Sequence, residues 1–245
     1  MKTKSITCLL LAIAISFSSI AQDDEVSTYD IGVKWAPAGL YFGKITLGGE
    51  YNMNLKKSIT LTLGIPYNQA TSYKLDNKKE TITQKTFSAM AGYRLYLGEG
   101  NMHGAYFEPY VKYLKHNASF TTDADIDGTT RDFAVTSDYS AIGVGAQLGA
   151  QFLIGNHFTI DFYFLGPEAN SAKHEVLMQE LGSGAPWDAQ ESADAQQKIN
   201  DTFKDVPIIG KKLEVTVNAN QRFVSSEYKG FLPGFRFGLS FGYRF

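Results

Sequence analysis

From Phe235 onward, aromatic and apolar side chains fall at every second position: Phe235, Phe237, Leu239, Phe241, Tyr243 and Phe245 alternate with Arg236, Gly238, Ser240, Gly242 and Arg244. A repeat of two sends successive side chains to opposite faces of a β-strand, so this segment has one greasy face and one small or charged face. The same repeat recurs upstream. Phe158, Ile160, Phe162 and Phe164 alternate with His157, Thr159, Asp161 and Tyr163, and Ile142, Val144, Ala146, Leu148, Ala150 and Phe152 alternate with glycines and glutamines. Further strands are expected over Phe107–Lys115, Phe87–Leu97, Ile59–Tyr67, Ile45–Leu55 and Ile31–Trp35, about eight in all.

The connections sort by length. Asn54–Ser58, Gly98–Gly104 and Gly155–Asn156 are tight, whereas the segments near Ala36, Asn68–Lys85, Asn117–Asp138 and Asn170–Pro233 are longer. Short turns at one end and long loops at the other are the signature of an all-β, eight-stranded antiparallel transmembrane β-barrel, with apolar residues facing lipid and polar ones facing inward. An even strand count puts both termini on the short-turn, periplasmic side. Trp35, Tyr67, Tyr113 and Phe235 towards the loop ends, and Tyr51, Phe152 and Tyr243 towards the turn ends, would form the interfacial girdles.

The 170–233 segment is read as a long, partly helical extracellular loop. Helix formers cluster at Glu175–Leu181 and Ala189–Phe203 around a break at Gly182–Pro186. Leu213, Val215 and Val217 then alternate with polar residues, and Asn218–Gln221 has the composition of a turn, so a surface hairpin or a count of ten strands is open. A connection this long needs a role, either as a folded cap over the barrel mouth or as a binding surface.

At the N-terminus, Lys2 and Lys4, an apolar run from Ile6 to Phe17 and the small residues up to Ala21 resemble a secretory signal peptide over 1–21, leaving 22–245 as the barrel domain. The single cysteine, Cys8, lies inside that leader. The leader takes two lysines with it, so the 23 basic and 25 acidic residues of the whole chain leave a mature net charge of about −4. That balance argues against a nucleic-acid partner. A mean hydropathy of -0.18 suits a barrel, because only every second strand residue faces lipid.

With the apolar face outward, the inward list contains Lys34, Arg94, Lys112, Arg236 and Arg244 against Asp30, Glu50, Glu108 and Asp161. An eight-stranded barrel is just wide enough inside for its own side chains, so these charges should pair and plug the lumen; a narrow pore through them is the alternative. Other chemistry is sparse. Gly143, Gly145 and Gly149 fall on the interior face of one strand and lack the strand-to-helix context of a dinucleotide loop. Asp123, Asp125, Asp127 and Gly128 open like a calcium loop, but Ala134 stands where the bidentate Glu belongs, so a weak surface calcium site is the most this acidic hairpin tip would offer. No other cofactor is expected. His103, His157 and His174 share no metal-ligand spacing.

The ending Phe241, Tyr243, Phe245, with apolar residues at alternate positions before it, resembles the C-terminal signal read by the barrel-assembly machinery. With the strand layout, the chain resembles the small barrels of the OmpA transmembrane-domain and OmpX kind and the uncharacterised outer-membrane β-barrel domain families. The resemblance implies an outer-membrane location, contact with outer-membrane lipid, a monomer and a non-enzymatic role, with surface loops displayed to an unknown extracellular or envelope partner. No periplasmic domain is expected after Phe245, in contrast to OmpA, so the resemblance does not carry peptidoglycan attachment with it. His116 and Ser119 resemble the site pair of the lipid A deacylases, but a spacing of three puts them on opposite strand faces. A surface lipid-modifying enzyme therefore stands as a third reading, after display and a narrow solute pore.

Overall fold

In the computed structural model, which describes residues 31–245 except 76–77, 99, 183, 204–207 and 209–211, the strands are β1 (Ile31–Ala36), β2 (Lys44–Asn54), β3 (Lys57–Pro66), β4 (Gln69–Leu75), β5 (Lys78–Tyr96), β6 (Gly104–Ile126), β7 (Thr129–Ile154), β8 (Phe158–Glu180), β9 (Leu213–Asn218) and β10 (Phe223–Arg244). Helix α1 spans Ala189–Phe203. The expected leader 1–21 and Asp30 lie outside the described residues.

Antiparallel pairing runs β1-β2-β3-β5-β6-β7-β8-β10, and β10 returns to β1 in the register Gly32↔Arg244 to Trp35↔Phe241, so eight strands close a ring. Closure removes the sheet edges, which lipid could not hydrogen-bond. The question of eight or ten strands resolves simply: β4 pairs only β5, and β9 pairs only β10, both outside the ring. The strands carry an outward band of exposed apolar residues, among them Val33, Leu47, Leu61, Phe87, Val111, Val144, Phe162 and Phe237.

Three expectations are corrected. Asn68–Lys85 is not a loop but a hairpin of β4 and the start of β5, paired from Gln69↔Gln84 to Leu75↔Lys78. Asn117–Asp138 is not a loop but the upper part of a continuous β6–β7 hairpin, paired out to Ile126↔Thr129. Its two-residue turn has φ of 50° at Asp127 and 75° at Gly128, the left-handed pair that an Asp-Gly hairpin supplies. Glu175–Leu181 is not helical either: β8 runs to Glu180, paired with β7 on one side and β10 on the other. The cause is an inversion of polarity along the strands. Within the band apolar residues point outward; beyond it Phe133, Val135 and Val224 point inward and are buried.

Beyond the band, these inward residues build a second core. Ile126, Phe133, Val135 and Val224 pack with Trp187 and Ala195, and α1 lies against β9, β10 and β6. The expected helix at Ala189–Phe203 is present, and its start is a reciprocal capping box: Glu191 donates its N–H to Asp188 Oδ1 (2.8 Å), and Asp188 donates its N–H to Glu191 Oε2 (2.9 Å). Asp188 is the capping residue by this geometry.

The β1–β2 connection is a 3-10 helix, Pro37–Phe42, ended by Gly43 at a φ of 67°. The Gly43 carbonyl accepts the N–H groups of Tyr67 (3.0 Å) and Thr86 (3.1 Å), tying this turn to the residue just after β3 and to β5. Gly39 sits so closely on Thr46, an inward residue, that a Cβ there would clash. The turn is therefore folded over the loop-side mouth of the ring.

Candidate functional site: the ion-paired lumen

Strand alternation delivers Lys34 from β1, Glu50 from β2, Arg94 from β5, Glu108 from β6 and Asp161 from β8 to one level inside the ring. All are buried, Glu108 completely (0% exposed) and Arg94 to 4%. The Arg94 guanidinium meets three carboxylates: Nη2 to Glu108 at 2.7 Å, Nη1 to Asp161 at 2.8 Å and Nη1 to Glu50 at 3.4 Å. Lys34 Nζ lies 2.6 Å from Glu50 and 2.7 Å from Asp161.

Neutral donors complete the set. Ser58 Oγ (2.7 Å) and the Tyr96 hydroxyl (2.6 Å) donate to Glu50 Oε1. Thr60 donates to Glu108 Oε1 (2.5 Å), Gln147 Nε2 to Glu108 Oε2 (2.9 Å), and the Tyr106 hydroxyl to Asp161 Oδ1 (2.6 Å). Every carboxylate oxygen thus has at least one donor, the condition under which charges removed from water are tolerable. Tyr106 also lies flat beneath Arg94, its ring centre 3.7 Å from the guanidinium carbon. The interior glycines make room for these rings: a Cβ at Gly149 would strike Tyr106, and one at Gly145 would come within 2.6 Å of Tyr110. The expected interior placement of these glycines holds, with Tyr106 and Tyr110 filling the space they leave.

The remaining expected interior charges stand apart from this cluster. Lys112 pairs with Glu168, which also accepts the Tyr110 hydroxyl at 3.0 Å. Glu168 was missed because β8 carries a bulge: Phe164 and Leu165 together oppose Phe237, the register slips, and even-numbered residues turn inward from Gly166 on. The Gly166-Pro167 pair just beyond was the available signal. Arg236 stacks over the rings of Tyr163 (4.6 Å) and Tyr110 (5.5 Å) and donates to the Met90 sulfur. Arg244 sits at the turn end and donates to the carbonyls of Asn156 (2.8 Å) and Asn101 (2.6 Å). Above the ion cluster a small cavity is lined by Thr46, Thr62, Met90, Tyr163, Arg236 and Ser240.

The other candidates are placed as follows. Asp125 accepts the Gly128 N–H (3.0 Å) and pairs with Lys198 of α1 (3.4 Å), while the Asp127 N–H donates to Asp194 (2.9 Å). This acidic tip therefore fastens the helix to the hairpin. Asp194 accepts that N–H and faces Lys198, and these partners hold its carboxyl below the usual carboxylate range. Among the described residues, no three His, Cys, Asp or Glu groups are arranged to hold a metal. His116 points inward and bonds Thr86 (2.7 Å), with Ser119 on the opposite face. Phe241 and Phe245 project outward, and Tyr243 stacks on His157 with ring centres 5.2 Å apart.

A closed antiparallel ring, apolar outside and ion-paired inside, defines a transmembrane β-barrel of the outer-membrane class. The family model for the outer membrane protein beta-barrel domain matches residues 7–187, and the chain belongs to that family, which places it in the outer membrane. The match ends before β9 and β10, the latter being the strand that closes the ring. A search of curated proteins finds no match. Among solved structures the chain is similar to Acinetobacter baumannii CarO, at 9% identity and a TM-score of 0.41, over 91% of this chain and 100% of that one.

Proposed function

We propose that this protein is a non-conducting, non-enzymatic outer-membrane scaffold that holds a folded lobe, α1 with the tall ends of β6–β10, outside the cell as an interaction surface. The observation that carries this reading is that Arg94, held by carboxylates from β2, β6 and β8, sits in a lumen where every one of those carboxylate oxygens has a donor. A ring so filled spends its interior on rigidity, and the lobe has its own core of Trp187, Phe133 and Val224. Binding residues concentrate on segments carried by rigid scaffolds. The lobe faces outward because long hairpins face outward in this class, leaving both termini periplasmic after removal of residues 1–21. The Phe241, Tyr243, Phe245 ending serves delivery to the assembly machinery, and the chain works as a monomer.

The placement is tested with Gln196→Cys on the exposed face of α1. An impermeant maleimide should label this cysteine on intact cells; labelling only after lysis would overturn the outward lobe. Proteoliposomes should also resist swelling in small sugars, and swelling would favour the narrow pore.

A further inference from the structure

On the outer surface, the strand registers stack side chains into rows. One row, at the loop end of the apolar band, is Ala89, Tyr113, Ile142, Ser171 and Phe231, directly opposed across β5, β6, β7, β8 and β10. The next row outward is Phe87, Lys115, Ser140, Lys173 and Lys229. Beyond it come Lys85, Asn117, Asp138, Glu175 and Glu227. Three lysines thus gather in one row where lipid-facing aromatics give way to polar surface.

This arrangement is unfavourable for the protein alone. Lys173 and Lys229 are direct cross-strand partners, and like charges so placed repel. Glu175 (2.7 Å) and Glu227 (3.7 Å) answer Lys173. Among the described residues no carboxylate comes within ion-pair distance of Lys115 or Lys229, both exposed. Beside the row, a shallow polar groove is lined by Thr83, Lys85, Asn117, Ser119, Thr136 and Asp138. Hydroxyls and amides in a concave surface suit a sugar, and ammonium groups at the edge of the hydrocarbon suit phosphate.

We infer that this face binds the headgroup of a phosphorylated glycolipid of the surrounding leaflet, with Lys115, Lys173 and Lys229 on its phosphates and the Thr83–Asp138 groove on its sugars. The acyl chains would lie along Tyr113, Ile142 and Phe231. The inference rests on the membrane placement above but not on which way the chain is inserted, since a nanodisc presents lipid on both sides. The orientation is read separately by the cysteine labelling.

The test uses folded full-length barrel in phosphatidylcholine nanodiscs doped with lipid A carrying both phosphates, with bound copies counted by native mass spectrometry. The double variant Lys115→Gln/Lys229→Gln should weaken binding roughly tenfold or more, and lipid A stripped of phosphate should bind the unaltered protein as poorly. Lys56→Gln/Lys57→Gln, at the opposite end, should bind as the unaltered protein does. Heat-modifiable migration on gels confirms that each variant is folded. Equal binding by the double variant, or binding indifferent to the phosphates, would overturn the inference.

Discussion

Arg94 holds three carboxylates together, so its loss leaves three buried acids with fewer partners rather than one. Arg94→Met should destabilise the folded barrel by about 3–5 kcal/mol, read as a lower urea midpoint in detergent micelles. Lys34→Met should cost less, because Glu50 keeps Ser58, Tyr96 and Arg94, and Asp161 keeps Tyr106 and Arg94. An Arg94 variant as stable as the parent would show that the cluster fills space without fixing the lumen. Glycine is tested at Gly149, where any side chain meets the Tyr106 ring and the Phe162 carbonyl. Gly149→Val should cost about 1–3 kcal/mol by overpacking and should also loosen Arg94, whose guanidinium rests on that ring.

At the scale of elements, the hairpin lobe stands on its own core, and Trp187 is its centre: 4% exposed, edge-on to Phe133 at 6.3 Å, with its indole N–H donated to Glu180 at 2.6 Å. Trp187→Ala should cost the lobe about 3–5 kcal/mol, seen as faster hydrogen exchange in α1 and β9 with β1–β3 unchanged. Uniform loss of protection across the barrel would contradict an independent lobe. Asp194 has a depressed pKa in the folded state, so the attachment it makes is present above its unfolded pKa and is lost as pH falls through the folded one. Exchange in α1, corrected for intrinsic rates, should therefore rise below about pH 4. These elements also mark how far the sequence could be read. The ring strands were legible because lipid on one side and a charged lumen on the other enforce a strict repeat of two. The tall ends of β6–β8 were not, because leaving lipid inverts which face is apolar: Ile142 points out while Phe133, on the same strand, points in. Of the interior charges, Lys34, Glu50, Arg94, Glu108 and Asp161 could be listed from alternation, whereas Glu168, the partner of Lys112, was hidden by one extra residue at Phe164–Leu165, which exchanges the two faces of β8.

For the whole molecule, an eight-stranded ring leaves little room beyond its own side chains, and here the Arg94 cluster closes one level while the Pro37–Phe42 turn covers the loop-side mouth. The cavity between them has the ion cluster as its floor, which supports the proposal of a closed lumen. Rigidity below and a self-packed lobe above suit a scaffold whose contacts with lipid and with partners lie on its outer surfaces. Closure of the lumen is tested most directly by single-channel recording of the purified protein in a planar bilayer. The unaltered barrel should give no stable conductance steps, and small, unsteady openings should appear only in Arg94→Ala, where the shared cation is gone. Stable, reproducible steps from the unaltered protein would contradict the closed lumen.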